Sequence, residues 1–331
     1  PGESGARRRL PPAVSGAPPP AAGPSPPAGR LRPCLTIPAR PASLRAMHTE
    51  RFAPSPNGRL HLGHAFSALL AHDAARAAEG RFLLRIEDLD RSRARPEFER
   101  AIEADLAWLG LRWEVPVLHQ SDRAQAYAAA LADLRARGLV YSCACTRKDI
   151  LAALDAPQEG GPDGPVYPGT CRREPPDPAL PHALRLDMAA AVEPLGGAGA
   201  VSRLVFEELD QGPRGETGPQ ALRADWLVEA CGDVVLARKD GAAAYHLAVV
   251  VDDAFQRVSH VTRGRDLFPA TPIHRLLQAL LSLPTPLYRH HRLIRDAAGR
   301  RLAKRDRDAG LHELREAGVT PAEIRARVGL P

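Results

Sequence analysis

Two histidines three residues apart, His61 and His64, follow a stretch dense in turn formers, Pro54-Ser55-Pro56-Asn57-Gly58, and open a segment with helical spacing of its apolar residues. A helix N-terminus offers unpaired amide groups and the positive end of its dipole, a setting that favours phosphate. There the two imidazoles can donate to a phosphate chain, and Gly63 between them lets a flat base approach the backbone closely. The pair taken alone also fits helix-start histidines without a role; the turn before it sharpens the reading. A second cluster is Cys143-Ala144-Cys145 with Tyr167-Pro168-Gly169-Thr170-Cys171. Three thiolates and one phenol are enough to close a tetrahedral zinc shell, which would be structural because it keeps no open position; free structural cysteines are the alternative. Cysteines separated by one residue make a poor mutual disulfide. Cys34 and Cys231 stand apart from the cluster.

Three further stretches follow in order: Arg85-Ile86-Glu87-Asp88-Leu89-Asp90, Tyr245-His246-Leu247-Ala248-Val249-Val250-Val251-Asp252-Asp253, and His260-Val261-Thr262-Arg263-Gly264-Arg265-Asp266-Leu267. Together with His61-Leu62-Gly63-His64 they resemble the class I aminoacyl-tRNA synthetases, and within them the glutamyl branch, from Arg51 to Lys304. In that family a second signature, Lys-Met-Ser-Lys-Ser, closes over ATP late in the chain. Here Arg301-Leu302-Ala303-Lys304-Arg305 takes its place, with Arg for the first Lys and Ala for the Ser but Lys304 retained. The resemblance implies ATP on His61, Gly63, His64 and Lys304, with magnesium accompanying ATP as an exogenous ion. It also implies a glutamate site framed by Arg51, Phe52, Ala53, Pro54 and Ser55 with Glu87, Tyr245 and Arg263. An arginine fork is the natural partner of a substrate carboxylate, which makes Arg51 and Arg263 the candidates, and Glu87 can accept from the ammonium group. For each of these residues an ordinary ion pair is the alternative.

The implied chemistry is in-line attack of the glutamate α-carboxylate on the α-phosphorus of ATP, which needs alignment and charge stabilisation rather than a general base. The glutamyl group then passes to a hydroxyl. The Cys-x-Cys and Tyr-x-x-x-Cys pattern is similar to the zinc site of the glutamyl-queuosine tRNA(Asp) synthetases, which load the cyclopentenediol of queuosine in the anticodon of tRNA(Asp). The chain ends within about thirty residues of Lys304, too few for an anticodon-binding domain, and this too resembles those enzymes. Two alternatives stay open: an enzyme, or fragment of one, that charges the tRNA 3′ end, and a catalytically silent zinc-containing RNA-binding protein.

The elements that must position these residues read as an α/β fold, a Rossmann-like parallel sheet. A strand at 49–53, a helix at 62–78 and a strand at 82–86 make a strand-helix-strand unit, whose ligands bind beyond the carboxyl ends of the strands. Helices at 96–109 and 122–137 and a strand at 139–142 complete a first half at 47–142. An inserted, mostly β, zinc-containing subdomain is expected at 143–222, with strand-like pieces at 183–187 and 202–209. The second half, 223–290, contributes apolar runs at 234–238, 245–251 and 258–263, read as strands, and a helix at 271–282. A last strand-like piece, 287–294, leads into 291–331, the basic loop and a short helical C-terminus.

Among 331 residues 44% are hydrophobic, enough for a sizeable core. The net charge of +6 is misleading, because residues 1–46 hold seven arginines against Glu3 alone and leave 38 basic and 38 acidic residues in the remainder. No overall positive field therefore draws RNA to the folded body, and any contact must use a local patch. The Pro-, Ala- and Arg-rich 1–46 reads as disordered. An organelle transit peptide is opposed by Pro18-Pro19-Pro20, and translated sequence ahead of a start at Met47 is preferred. The composition predicts a cytoplasmic protein without a membrane span, and the resemblance a monomer.

Overall fold

In the computed structural model, which describes residues 47–153, 164–295 and 310–331, strand β1 (Thr49–Phe52) leads through helix α1 (Leu62–Ala77) to β2 (Arg81–Ile86), and the strands pair in parallel with Thr49 opposite Arg81 and Phe52 opposite Leu84. Helix α2 (Pro96–Trp108) has Pro96 at its first position, where the missing N–H is harmless, and leads to β3 (Glu114–His119). Strand β3 is absent from the sequence reading because Pro116 argues against a strand; it pairs in parallel with β2 at the sheet edge, where a lost donor is tolerated.

After a 3₁₀ turn (Gln120–Arg123) come α3 (Ala124–Ala136), β4 (Val140–Cys143), α4 (Arg147–Ala152), α5 (Thr170–Arg173), β5 (Ala183–Leu186), α6 (Met188–Val192), α7 (Ala198–Val201), β6 (Val205–Glu208) and β7 (Gly218–Ala221). A π-helical turn (Trp226–Cys231), β8 (Val235–Ala237), α8 (Tyr245–Phe255), β9 (His260–Gly264), α9 (Thr271–Leu280) and β10 (Leu287–His291) follow, then α10 (Leu311–Glu316) and α11 (Pro321–Arg327). Strands β4, β5 and β8 form a separate antiparallel sheet. Strand β6, although within 143–222, pairs in parallel with β10, which pairs with β9; the expected insertion is thus stitched into the main sheet.

One reading is corrected. The run from Tyr245 to Val251 is not a strand but the first part of α8, and nine of the eleven residues of that helix are buried. A helix buried on every side carries no polar stripe, so its sequence is a continuous apolar run that periodicity cannot assign.

Strand β9 lies beside β1, with the Ser259 N–H donating to the Thr49 carbonyl (3.0 Å) and the Thr262 hydroxyl to Glu50 (3.1 Å). The sheet β3-β2-β1 and the sheet β9-β10-β6-β7 thus abut along β1 and β9, and the direction of progression reverses there. That reversal point is where an open parallel sheet leaves a crevice beyond its strand ends. Side chains on β2 alternate between two cores: Phe82, Leu84 and Ile86 pack with α1, α2, α10 and α11, and Leu83 packs with α3, α8 and α9. Leu311, Leu314, Ile324 and Val328 close the first core, and the Leu311 N–H donates to the Leu60 carbonyl at 2.9 Å. Among the described residues no helix is long and apolar enough to cross a membrane. Residues 1–46 and the loop with Arg301 and Lys304 lie outside the described residues.

Candidate active site

Beyond β1 the chain is pinned as a loop: the Glu87 N–H donates to the Pro54 carbonyl and the Arg95 N–H to that of Pro56, both at 3.0 Å. It delivers His61 as the N-cap of α1. The Gly63 N–H donates to His61 Nδ1 (3.0 Å), the His61 N–H to His64 Nδ1 (3.2 Å), and the rings lie 3.8 Å apart. Because both Nδ1 atoms accept from the backbone, each neutral ring carries its proton on Nε2, a group able to donate to an anion. The structure adds a nearer reason for Gly63: a Cβ there would stand 2.9 Å from His61 Cε1. Lys304, read as the third ATP group, lies outside the described residues.

A cleft of about 250 Å³ opens beside this loop, lined by Ser55, Asn57, Glu87, Asp90, Arg238 and Tyr245 among others. Behind it runs a buried charge network that the sequence reading missed. Asp253 accepts from Arg51 Nε at 3.1 Å and from Arg85 Nη1 at 2.7 Å, and Arg85 also reaches Gln256 (3.1 Å) and Glu87 (3.5 Å). Burial alone would raise the Asp253 carboxyl, but Arg51 and Arg85 outweigh it and hold it below its ordinary value. Glu87 is raised by burial, against the opposing pull of Arg85. Among the described residues the terminal nitrogens of Arg51 have no hydrogen-bond partner. Next to Asp253, the fully buried Asp252 accepts from Gln120, Arg123 and Tyr127, which fastens α8 to α3 and the turn before it. The signal for both acids was an Asp-Asp pair at the end of an apolar run, since buried carboxylates require partners.

Arg263, on β9, is 5% exposed and donates to the Tyr245 hydroxyl (3.2 Å), His274 (3.2 Å), Thr271 (2.7 Å) and His290 (3.0 Å). All four partners are uncharged, and among the described residues no carboxylate pairs with this guanidinium. The residues read as a glutamate site therefore divide. Arg51, Ser55, Glu87, Tyr245 and Arg263 gather at the cleft or directly behind it, whereas the Phe52 side chain sits in the apolar core, and Ala53 and Pro54 belong to the pinned loop.

The cysteine cluster is brought together by β4 and α5. The Sγ atoms of Cys143, Cys145 and Cys171 lie within 4.8 Å of one another, with 3.4 Å between Cys145 and Cys171. The Tyr167 oxygen lies 3.5 Å from Cys145 Sγ and accepts from the Cys171 N–H at 2.8 Å. Three convergent thiols, free of disulfides, with a phenol at their edge can hold a metal ion and fit the four-coordinate geometry of zinc. Cys231 is instead part of the main core.

Comparison with known proteins agrees with this arrangement. Residues 47–177 and 222–330 match the family of tRNA synthetases class I (E and Q), catalytic domain. The chain is 56% identical over 287 residues to the glutamyl-Q tRNA(Asp) synthetase of Rhodobacter capsulatus, covering 85% of this chain and 99% of that one. It is 45% identical to the protein of the same name from Nocardia farcinica, covering 85% of each chain. The crystal structure of glutamate-tRNA synthetase from Elizabethkingia anophelis superposes with a TM-score of 0.62 at 25% identity, covering 79% of this chain and 53% of that one, so the chain spans about half of the longer enzyme. On these matches and this fold, the chain belongs to the class I tRNA synthetases of the E and Q type and, within them, to the glutamyl-Q tRNA(Asp) synthetase family of ligases.

Proposed function

We propose that the chain activates glutamate with ATP to glutamyl-adenylate without RNA, and then transfers the glutamyl group to the queuosine cyclopentenediol in the anticodon of tRNA(Asp). One observation carries the glutamate reading. Arg263 meets only neutral partners, and the terminal nitrogens of Arg51 meet none among the described residues, so two guanidinium groups at the cleft can answer carboxylates. The glutamate side chain brings a carboxylate to meet such a guanidinium; glutamine brings an amide and leaves the buried charge of Arg263 without a direct counter-charge, which is costly. In this reading Arg51 and Arg263 take the two carboxylates and Glu87 the ammonium, with Tyr245 and Ser55 on the cleft wall. The Nε2 protons of His61 and His64 hold the ATP phosphates, and Lys304 answers the charge that develops as the α-phosphorus is attacked. Magnesium enters with ATP. Cys143, Cys145, Tyr167 and Cys171 would hold zinc, which supplies rigidity to this corner and takes no part in the reaction.

The acceptor reading is supported by the relative from Rhodobacter, a glutamyl-Q tRNA(Asp) synthetase by name, which matches over 99% of its length. Glutamate-dependent exchange of pyrophosphate into ATP, measured without RNA, tests the first step; folded protein that shows none overturns it. Transfer of labelled glutamate is then compared on tRNA(Asp) with and without queuosine. Label that requires queuosine and lies in the anticodon stem-loop supports the reading. Label at the 3′ end, blocked by periodate oxidation of the terminal ribose, favours tRNA charging instead.

A further inference from the structure

The guanidinium of Arg263 is held by a chain of side chains whose hydrogen-bond directions are mutually dependent. Its Nε–H donates to His290 Nε2, so that nitrogen bears a lone pair and the His290 proton sits on Nδ1, facing Glu208 Oε2 at 2.5 Å. Its Nη1 donates to His274 Nδ1 at 3.2 Å, so the His274 proton sits on Nε2 and is given to His246 Nδ1 at 3.1 Å. Nη2 donates to Thr271 Oγ1 at 2.7 Å, and that oxygen lies 3.2 Å from His290 Nε2. Two imidazoles thus serve as acceptors, and each is locked in one tautomer by the next group along. Glu208 is committed in turn, because its Oε1 accepts from the backbone N–H groups of His290 (2.9 Å) and Asp210 (3.1 Å).

We propose that Glu208, His290 and His274, buried and outside the cleft lining, are positioning residues that aim Arg263 at the substrate while leaving its charge unneutralised. A carboxylate in direct contact would orient the arginine equally well, but it would cancel the charge that a substrate carboxylate is to meet. Placing the anion one imidazole away separates the two tasks. Burial pushes His290 down to about 4 and His274 well below its usual value, so both stay neutral, as acceptors must. Glu208 lies on β6, within the stretch expected as an insertion, so the pairing of β6 with β10 becomes part of the amino-acid site.

This inference rests on the reading of Arg263 as a glutamate-binding residue, and the experiment separates the two. Glu208→Gln keeps the shape but presents an amide that cannot satisfy three donors; with its NH₂ toward His290 it drives the proton to Nε2, where it meets the Arg263 Nε–H. In pyrophosphate exchange with the full chain, glutamate KM should rise about tenfold, the order expected for one lost hydrogen bond to a charged group. The KM for ATP and kcat should stay within about twofold, well inside the effect of a single hydrogen bond. Thr271→Val, a milder change, should raise glutamate KM in the same direction. If both variants fold and keep the native glutamate KM, the proposal fails. Arg263→Gln examines the underlying reading: an unchanged glutamate KM there overturns the site itself. Nitrogen-15 NMR of labelled histidine, assigned with a His290→Phe variant, is independent of that reading. His290 should be protonated on Nδ1 in the native chain and on Nε2 in Glu208→Gln, and a native His290 protonated on Nε2 would refute the proposal.

Discussion

Replacing Gly63 by Ala separates the role of the His61 ring in the fold from its role in binding. The added methyl would stand 2.9 Å from His61 Cε1 and 3.1 Å from Nδ1, closer than real side chains allow, so the ring must turn away. Turning it breaks the 3.0 Å bond from the Gly63 N–H and the contact with His64, whose ring lies 3.8 Å away. Loss of such a cap costs about 1 kcal/mol. Ala in place of Gly in a helix returns roughly 0.5–1 kcal/mol. The two nearly cancel, and the thermal midpoint should move by no more than about 3 °C. Binding has no such compensation. A displaced Nε2 donor loses a hydrogen bond to phosphate worth about 1.5–3 kcal/mol, so ATP KM should rise about ten- to hundredfold. The measurements are a thermal melt and pyrophosphate exchange at saturating glutamate. An intact fold with ATP KM within about twofold of native would show that the orientation of His61 does not matter to the nucleotide.

Three further changes test other parts of the molecule. Asp253→Asn removes the ion-pair partner of Arg51 and leaves Arg85 with Glu87, and should cost about 3–5 kcal/mol in urea unfolding; a loss below about 1 kcal/mol would remove the network from the account. Burial raises Glu50 from 4.5 to about 7. Because the native state holds this proton more tightly than the unfolded chain, the stability it gives is complete below 4.5 and is lost as pH rises through about 7. That interval is worth at most about 3 kcal/mol. Glu50→Gln should flatten the decline in thermal midpoint between these values, and parallel pH curves for the two proteins would contradict it. Cys171→Ser should abolish a zinc content of about one ion per chain, read by elemental analysis, and lower the melting temperature. Native protein purified free of metal and unaffected by a chelator would end the zinc reading.

Much of the candidate site was legible because its residues lie in short local runs. His61 and His64 share one helix turn, and Cys143 and Cys145 flank one residue, so spacing alone places them together. Arg51, Glu87, Tyr245 and Arg263 are far apart in sequence and were joined only through resemblance. What escaped was the layer behind them. Arg85 stood in a quoted motif, but nothing local says that it bonds Asp253, 168 residues away, and Asp253 lies just past the run 245–251 that was misread as a strand. Strand β3 was hidden by Pro116, whose tolerance depends on being at an edge, a property of the assembled sheet.

The sequence by itself determined the first strand-helix-strand unit, the helix-start histidine pair and the metal-competent cysteine cluster. These depend on residue type and short spacing, which covalent geometry carries into any fold. Only the tertiary structure decided which arginine meets an acid and which meets imidazoles. The choice between Arg51 on Asp253, 202 residues away, and Arg263 on His290, 27 residues away, depends on which strands and helices the fold brings side by side. Burial then gives those contacts their effect, because the strength of a charge and the proton position on a ring are set by what surrounds them once water is gone.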